Sequence, residues 1–191
     1  MEQNVALELY RRTGAYLEGH FRLSSGLHSP GYLQSALVLQ HPADAASLGA
    51  GIADNIRSVR PAVVLSPALG GLIIGHEVAR ALGVRAIFAE RAGGTTLSLR
   101  RGFSLAPGER VLVVEDVFTT GKSTRETMDV AREAGAEVVG AAAIVDRSGG
   151  TIDFGVPSFA LVTLKVPTYE PENCPLCGVG IPVMKPGSRP T

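Results

Sequence analysis

A chain of 191 residues in which 18 Lys and Arg balance 18 Asp and Glu carries no net charge, so it lacks the basic footprint that nucleic-acid binding requires. The length suits one domain with a sizeable core, and a composition rich in Val, Ala, Leu and Gly with 5% aromatics suits an α/β protein. No apolar run approaches the ~20 residues of a membrane span, and the polar start Met1-Glu2-Gln3-Asn4 is unlike a signal peptide; a soluble, cytoplasmic protein is expected.

Val5, Leu7, Leu9 and Tyr10 form an apolar stripe that predicts a helix over 3–13, stopped at Gly14. Between His20 and Gln40 come a Ser24-Ser25-Gly26 turn, then Ser29-Pro30, then an apolar run from Leu33 to Leu39 that reads as extended. His41-Pro42 opens a helix ending near Ser58. Strands and helices then alternate: a strand over 62–66, a helix over 71–82, strands over 84–89 and 111–114, a helix over 123–134, and strands over 138–145 and 159–164. Such alternation implies an open, mainly parallel sheet with helices on both faces. Pro167, Pro171, Pro175, Pro182, Pro186 and Pro190 make the tail extended or irregular. A single domain over 1–191 is expected, with an α/β core over 41–164 and a small hood and tail from 1–40 and 165–191.

The most informative stretch is 111–124, Val-Leu-Val-Val-Glu-Asp-Val-Phe-Thr-Thr-Gly-Lys-Ser-Thr. Four apolar residues read as a strand buried on both faces, with Glu115 and Asp116 at its carboxyl end. The hydroxyl-rich turn Thr119–Thr124 then opens a helix. Ligands of open parallel sheets bind at the carboxyl ends of strands, and a helix N-terminus offers unpaired N–H groups to a phosphate. Carboxylates beside a phosphate cradle suit a ribose 5-phosphate. Gly121-Lys122-Ser123 looks like half of a nucleotide-triphosphate P-loop, but that loop needs glycine five positions earlier, where Asp116 stands. A carboxylate there would repel a triphosphate. The bland alternative is a helix cap followed by an ordinary turn.

Three more loops follow strands. Pro67-Ala68-Leu69-Gly70-Gly71 lets backbone approach a ligand, beside another helix start. Glu90-Arg91-Ala92-Gly93-Gly94-Thr95-Thr96, with Arg100-Arg101 beyond, reads as a mobile loop whose arginines can supply charge for a leaving pyrophosphate; Arg91 is favoured because it directly follows the strand, and a solvated surface role competes for Arg100 and Arg101. Asp146-Arg147-Ser148-Gly149-Gly150 offers an arginine for bidentate grip on a planar carboxylate, against the alternative of an internal salt bridge with Asp146.

The chain has two cysteines, Cys174 and Cys177, as Cys-Pro-Leu-Cys. A zinc ribbon needs four ligands and no second cysteine pair exists, while a thioredoxin-like pair belongs at a strand-to-helix junction rather than a proline-rich tail. Free thiols in a reduced cytoplasm are the preferred expectation; half-sites from two subunits sharing one metal are the other.

The 111–124 stretch resembles the phosphoribosyl-pyrophosphate motif of type I phosphoribosyltransferases: apolar run, two acids, Thr/Gly-rich loop. That resemblance implies that Glu115 and Asp116 hold the ribose hydroxyls and act in catalysis. It implies that Val117, Phe118, Thr119, Thr120, Gly121, Lys122, Ser123 and Thr124 line the 5-phosphate. Gly70 and Gly71 become the pyrophosphate loop, with Arg91 nearby. Phe21-Arg22-Leu23-Ser24-Ser25-Gly26-Leu27-His28-Ser29-Pro30, a turn between extended pieces by composition, resembles the N-terminal motif of the orotate phosphoribosyltransferase family. By that resemblance Tyr32 lies near the orotate ring, Thr119 bonds it and Arg147 holds its carboxylate. It also implies Mg²⁺, carried mainly by substrate with Asp116 and Glu115 nearby, and a homodimer. Ser24, Gly70 and the lysine-free segment after Arg91 depart from the family pattern, leaving the catalytic loop residue among Arg91, Arg100 and Arg101 unassigned. A purine phosphoribosyltransferase and a non-enzymatic phosphoribosyl-pyrophosphate sensor are the competing readings. Arg147 argues against the first, because a purine has no carboxylate. The zero net charge and the lack of a DNA-binding module argue against the second.

Overall fold

The computed structural model describes residues 1–23, 25–92 and 96–185. Helix α1 (Gln3–Arg12) buries Ala6 and Tyr10, and leads into a hairpin of β1 (Tyr16–Arg22) and β2 (His28–Leu33). The hairpin is antiparallel, with a register shift between Glu18 and Phe21. The apolar run after it is not extended: Ser35–Leu39 is a short helix, α2, burying Ser35, Val38 and Leu39. A buried Tyr10 hydroxyl donates to Ser35 Oγ at 2.9 Å and fixes this turn against α1. A short apolar run such as Ala36–Leu39 fits a buried helix as well as a strand, and here packing decides.

Helix α3 (Pro42–Ile56) starts with proline at its first position, where the missing N–H costs no hydrogen bond. Then come β3 (Val63–Pro67), α4 (Gly71–Leu82), β4 (Arg85–Ala92), β5 (Thr96–Leu99), β6 (Arg110–Phe118), α5 (Lys122–Glu133), β7 (Glu137–Asp146) and β8 (Ser158–Thr163). The six-stranded sheet runs β5-β4-β3-β6-β7-β8. Only β4–β5 is antiparallel. Along β6, Leu112 and Val114 enter the core cluster shared with α1, α3 and α4, while Val111 and Val113 enter the one shared with Met128 and Ala131 of α5. This period of two on a doubly covered strand explains why the segment reads as continuously apolar.

Strands β3 and β6 are neighbours at the centre of the sheet, yet their chains leave in opposite directions, to β4 through α4 and to β7 through α5. Divergence of two crossovers opens a crevice at the carboxyl ends of the two strands.

Three further expectations change. Residues 90–92 belong to β4, with Arg91 paired opposite Leu97 of β5. The residues on either side of the expected mobile loop thus form an antiparallel pair at the sheet edge, with Leu97 buried in the second core cluster; Gly93, Gly94 and Thr95 lie outside the described residues. The tail is not irregular throughout. It contains a 3₁₀ turn at Pro171–Asn173 and a short helix α6 (Pro175–Gly178), and it bridges onto the hairpin at Phe21–Met184 and His28–Tyr169. Pro186 and Pro190 fall outside the described residues. Helix α1, expected in the hood, joins the main core beside Leu48 and Ile52, because its apolar stripe meets the sheet-covering helices. Hairpin and tail alone form the outer layer. Among the described residues no helix is long and apolar enough to cross a membrane.

Candidate active site

Strand β6 runs four residues beyond Val114, pairing Glu115 with Ala143 and Phe118 with Asp146. The acidic pair is thus set by strand geometry rather than by a loop. Glu115 is 6% exposed and accepts a hydrogen bond from Ser123 Oγ at 2.8 Å, which ties the strand end to the first turn of α5. Burial first, and then the charge of Asp116, push the Glu115 carboxyl up to about 8. Asp116 is half-buried.

Gly70, at the start of α4, lies against Asp116: a Cβ there would stand 2.8 Å from Asp116 Oδ1. Only glycine lets the loop after β3 meet the end of β6 at this distance, so the two share one crevice. A Cβ on Gly71 would meet the Val114 carbonyl at 2.9 Å. A cis peptide joins Ala68 to Leu69.

The turn into α5 exposes Thr119, Thr120 and Lys122. Val117 and Phe118 point into the two cores, and Phe118 packs on Phe154 with ring centroids 4.8 Å apart; only their backbone is left for a ligand. Gly121 adopts φ 75°, and a Cβ there would fall 2.9 Å from Phe154 Cε1. The N-cap Gly121 has no side chain to cap α5; the Lys122 N–H donates to Thr120 Oγ1 at a long 3.4 Å, and a helix start of this kind favours an anion. Thr124 Oγ1 and Ser66 Oγ are the buried side-chain oxygens without a hydrogen-bond partner among the described residues. They flank the two loops.

The Arg147 N–H bonds the Phe118 carbonyl at 2.9 Å, which holds this arginine beside the carboxyl end of β6. Its guanidinium is half-buried, and burial lowers its pKa. It donates to Ser29 Oγ at 3.3 Å and Gly31 O at 3.5 Å. The alternative salt bridge with Asp146 does not form: that carboxylate accepts the N–H groups of Ser148 at 2.7 Å and Gly150 at 3.0 Å. Tyr16 and Tyr32 are the titratable neighbours acting on Arg147. Tyr16 and Ser29 were not picked out from sequence: strand alternation puts Tyr16, paired with Leu33, and Tyr32, paired with Leu17, on opposite faces of the hairpin, so no pattern groups them.

Arg91 does not stand just after a strand. It pairs with Glu126 of α5 at 2.6 Å, next to Lys122, which lies 3.9 Å from the same carboxylate. Arg101 is engaged by Glu90 at 2.9 Å, and Arg100 is exposed.

Cys174 and Cys177 are not an isolated half-set. His20 and His28 of the hairpin meet them, with all four ligand atoms within 4.8 Å of one another. Counting cysteines alone missed this, because the histidines lie more than 140 positions away in the chain.

Comparison with known proteins identifies the family. The model of the phosphoribosyl transferase domain matches residues 37–154. An orotate phosphoribosyltransferase of Pelotomaculum thermopropionicum is 53% identical over 189 residues, covering 99% of each chain. One of Heliobacterium modesticaldum is 52% identical over 191 residues, covering 99% of this chain and 100% of its own. Among solved structures, the orotate phosphoribosyltransferase of Aeropyrum pernix superposes with a TM-score of 0.70 at 29% identity, covering 84% of this chain and 94% of that one. The chain belongs to the phosphoribosyltransferase family and, within it, to the orotate phosphoribosyltransferases.

Proposed function

We infer that the crevice over β3 and β6 transfers the phosphoribosyl group of phosphoribosyl pyrophosphate to orotate, giving orotidine 5-monophosphate and pyrophosphate. The observation that carries this reading is the contact of Gly70 with Asp116. It joins an anion-binding helix start, a carboxylate pair and, through the Arg147–Phe118 bond, a half-buried arginine with no carboxylate partner among the described residues.

Glu115 and Asp116 receive the ribose hydroxyls. Burial and the charge of Asp116 raise the Glu115 pKa, so in the ligand-free site its carboxyl can donate as well as accept a hydrogen bond, while a bound cation favours the ionised carboxylate. The 5-phosphate sits on the uncapped N–H groups and hydroxyls from Thr119 to Thr124, and the diphosphate on the backbone at Gly70 and Gly71. Arg147 grips the orotate carboxylate in bidentate fashion, with Tyr32 and Thr119 against the ring. As the C1–O bond breaks and its electron pair leaves with pyrophosphate, positive charge develops on the ribose beside the carboxylate pair. Orotate N1 closes the new bond from the opposite face, and its proton passes to the released pyrophosphate or to water. Positioning and preorganised charge do the catalysis.

Mg²⁺ fits this site as a substrate-borne ion. It binds proteins through one or two carboxylates plus substrate phosphates, and two adjacent carboxylates are what β6 presents, through Glu115 and Asp116. When bound, it neutralises the leaving diphosphate. The proposed assembly is a homodimer, located in the cytoplasm, in which the β4–β5 hairpin carrying Arg100 reaches the partner's crevice. Pyrophosphate release from phosphoribosyl pyrophosphate tests the activity: it should require both orotate and Mg²⁺. Equal release without orotate, or a preference for purine bases, would overturn the assignment.

A further inference from the structure

Outside the crevice, the structure gathers His20, His28, Cys174 and Cys177 into one cluster. His20 is 1% exposed, His28 6% and Cys174 5%, while Cys177 closes the outer edge. His20 Nε2 and His28 Nδ1 are 2.9 Å apart. Cys174 Sγ is 3.5 Å from His20 Nε2. Cys177 Sγ is 3.8 Å from His20 Nε2 and 3.3 Å from His28 Nδ1. A tetrahedral Zn²⁺ with bonds of about 2.3 Å to sulfur and about 2.0–2.1 Å to nitrogen separates two nitrogens by about 3.3 Å and a nitrogen from a sulfur by about 3.6 Å. Four of the six ligand pairs therefore match tetrahedral spacing to within a few tenths of an ångström, and all four ligand atoms lie within 4.8 Å of one another.

We propose that His20, His28, Cys174 and Cys177 form a structural Zn²⁺ site that fastens the C-terminal tail to the β1–β2 hairpin. The ligand set decides the metal: two thiolates with two imidazoles select Zn²⁺ and exclude Mg²⁺, which takes oxygen. Four protein ligands leave no open position, so the site is structural rather than catalytic. On binding, both thiols give up their protons, and Zn²⁺ with two thiolates is a neutral centre suited to burial.

The outer contacts support the same reading. His20 Nδ1 lies 2.7 Å from the Ile181 carbonyl. A carbonyl can only accept, so Nδ1 carries the proton and the lone pair of Nε2 points into the cluster, the arrangement that metal-bound histidines show. The register shift between Glu18 and Phe21 is where His20 sits, and such an irregularity re-aims a side chain. Main-chain bonds close the clamp on both sides. His28 and Tyr169 exchange bonds of 2.8 and 2.9 Å, and Met184 joins His20 and Arg22 at 2.8 Å each. The tail thus meets the hairpin along its length, with the four ligands between the two sets of bonds. A redox Cys-x-x-Cys pair would leave unexplained why two buried imidazoles aim their nitrogens at the sulfurs.

The test uses the full chain, purified without an affinity tag or chelator, and elemental analysis. The expected result is one zinc per chain. Both thiols should react with a thiol reagent only after a strong chelator is added. Chelated protein refilled with Co²⁺ should show the intense visible bands of tetrahedral cobalt and a thiolate charge-transfer band. Cys177→Ser should weaken metal binding by at least the ~10–100-fold that even outer-shell changes cause; should that variant fail to fold, the cobalt spectrum and thiol titration of the unaltered chain decide. Metal-free protein with both thiols reactive at once, a Cys174–Cys177 disulfide, or zinc at half an equivalent per chain would each overturn the proposal. None of these readouts depends on the transferase activity.

Discussion

The crevice over β3 and β6 and the layer of hairpin plus tail are assembled from differently arranged sequence. In the crevice, short contiguous segments carry the chemistry: Glu115 to Thr124 supply an acidic pair and an anion cradle, and a single glycine contact joins them to the next loop. In the outer layer Cys174 meets His20 across 154 positions, and α6 is only four residues long. The first region is held by a sheet buried on both faces. In the second, Tyr16 and Leu33 of the hairpin pack on the main core, and the tail is tied to the hairpin by main-chain bridges and, in the proposal above, a metal. A phosphate site needs local backbone, which a motif can encode. A clamp between distant segments needs side chains that only the fold brings together.

Changes in the crevice should separate chemistry from folding, and the largest effect falls on Asp116. Asp116→Asn keeps the shape but removes the charge facing the ribose, and kcat should drop about 10²–10³-fold with little change in thermal midpoint. Near-normal turnover would remove the carboxylate pair from the mechanism.

Gly121→Ala should act on structure. It forces a side chain into φ 75° and to 2.9 Å from Phe154 Cε1, so a loss of about 2–4 kcal/mol in unfolding free energy is expected from the combined conformational and packing penalties. A denaturant midpoint equal to that of the unaltered chain would show that the loop can rearrange.

Glu115 gives the smallest effect and a pH signature. Its folded pKa of about 8 lies above its ordinary value, so folding favours the protonated form. The stability contributed is fully present below the unfolded pKa and is lost as pH rises towards 8. In ligand-free protein the thermal midpoint should therefore fall between pH 5 and 8. Glu115→Gln should flatten that fall, by about 2–4 °C for each kcal/mol of linkage. Parallel curves for the two proteins would place the shift elsewhere.

The same contrast governs what could be read from sequence. The parallel core, the helices over 42–56, 71–82 and 122–133 and the acidic pair were legible because each rests on local periodicity or a contiguous motif. Strand β5 was not, since Gly93-Gly94-Thr95-Thr96 reads as a glycine-rich loop and only Leu97 of the four strand residues is fully buried. Helix α2 failed for a different reason: the four apolar residues Ala36–Leu39 are too short a run to show a period, and the Tyr10–Ser35 hydrogen bond is long-range. Arg91 was placed by counting from a strand end three residues too early. The histidines were visible as residues but not as ligands, because their partners lie at the other end of the chain.

The central claim is a division of labour in which the β6 segment binds the donor and Arg147 reads the acceptor. Steady-state kinetics of Arg147→Ala with both substrates varied test it most directly. Loss of a charge-assisted contact should raise the KM for orotate about 10–100-fold and leave the KM for phosphoribosyl pyrophosphate nearly unchanged. An unchanged orotate KM, or an equal rise in both constants, would contradict the account.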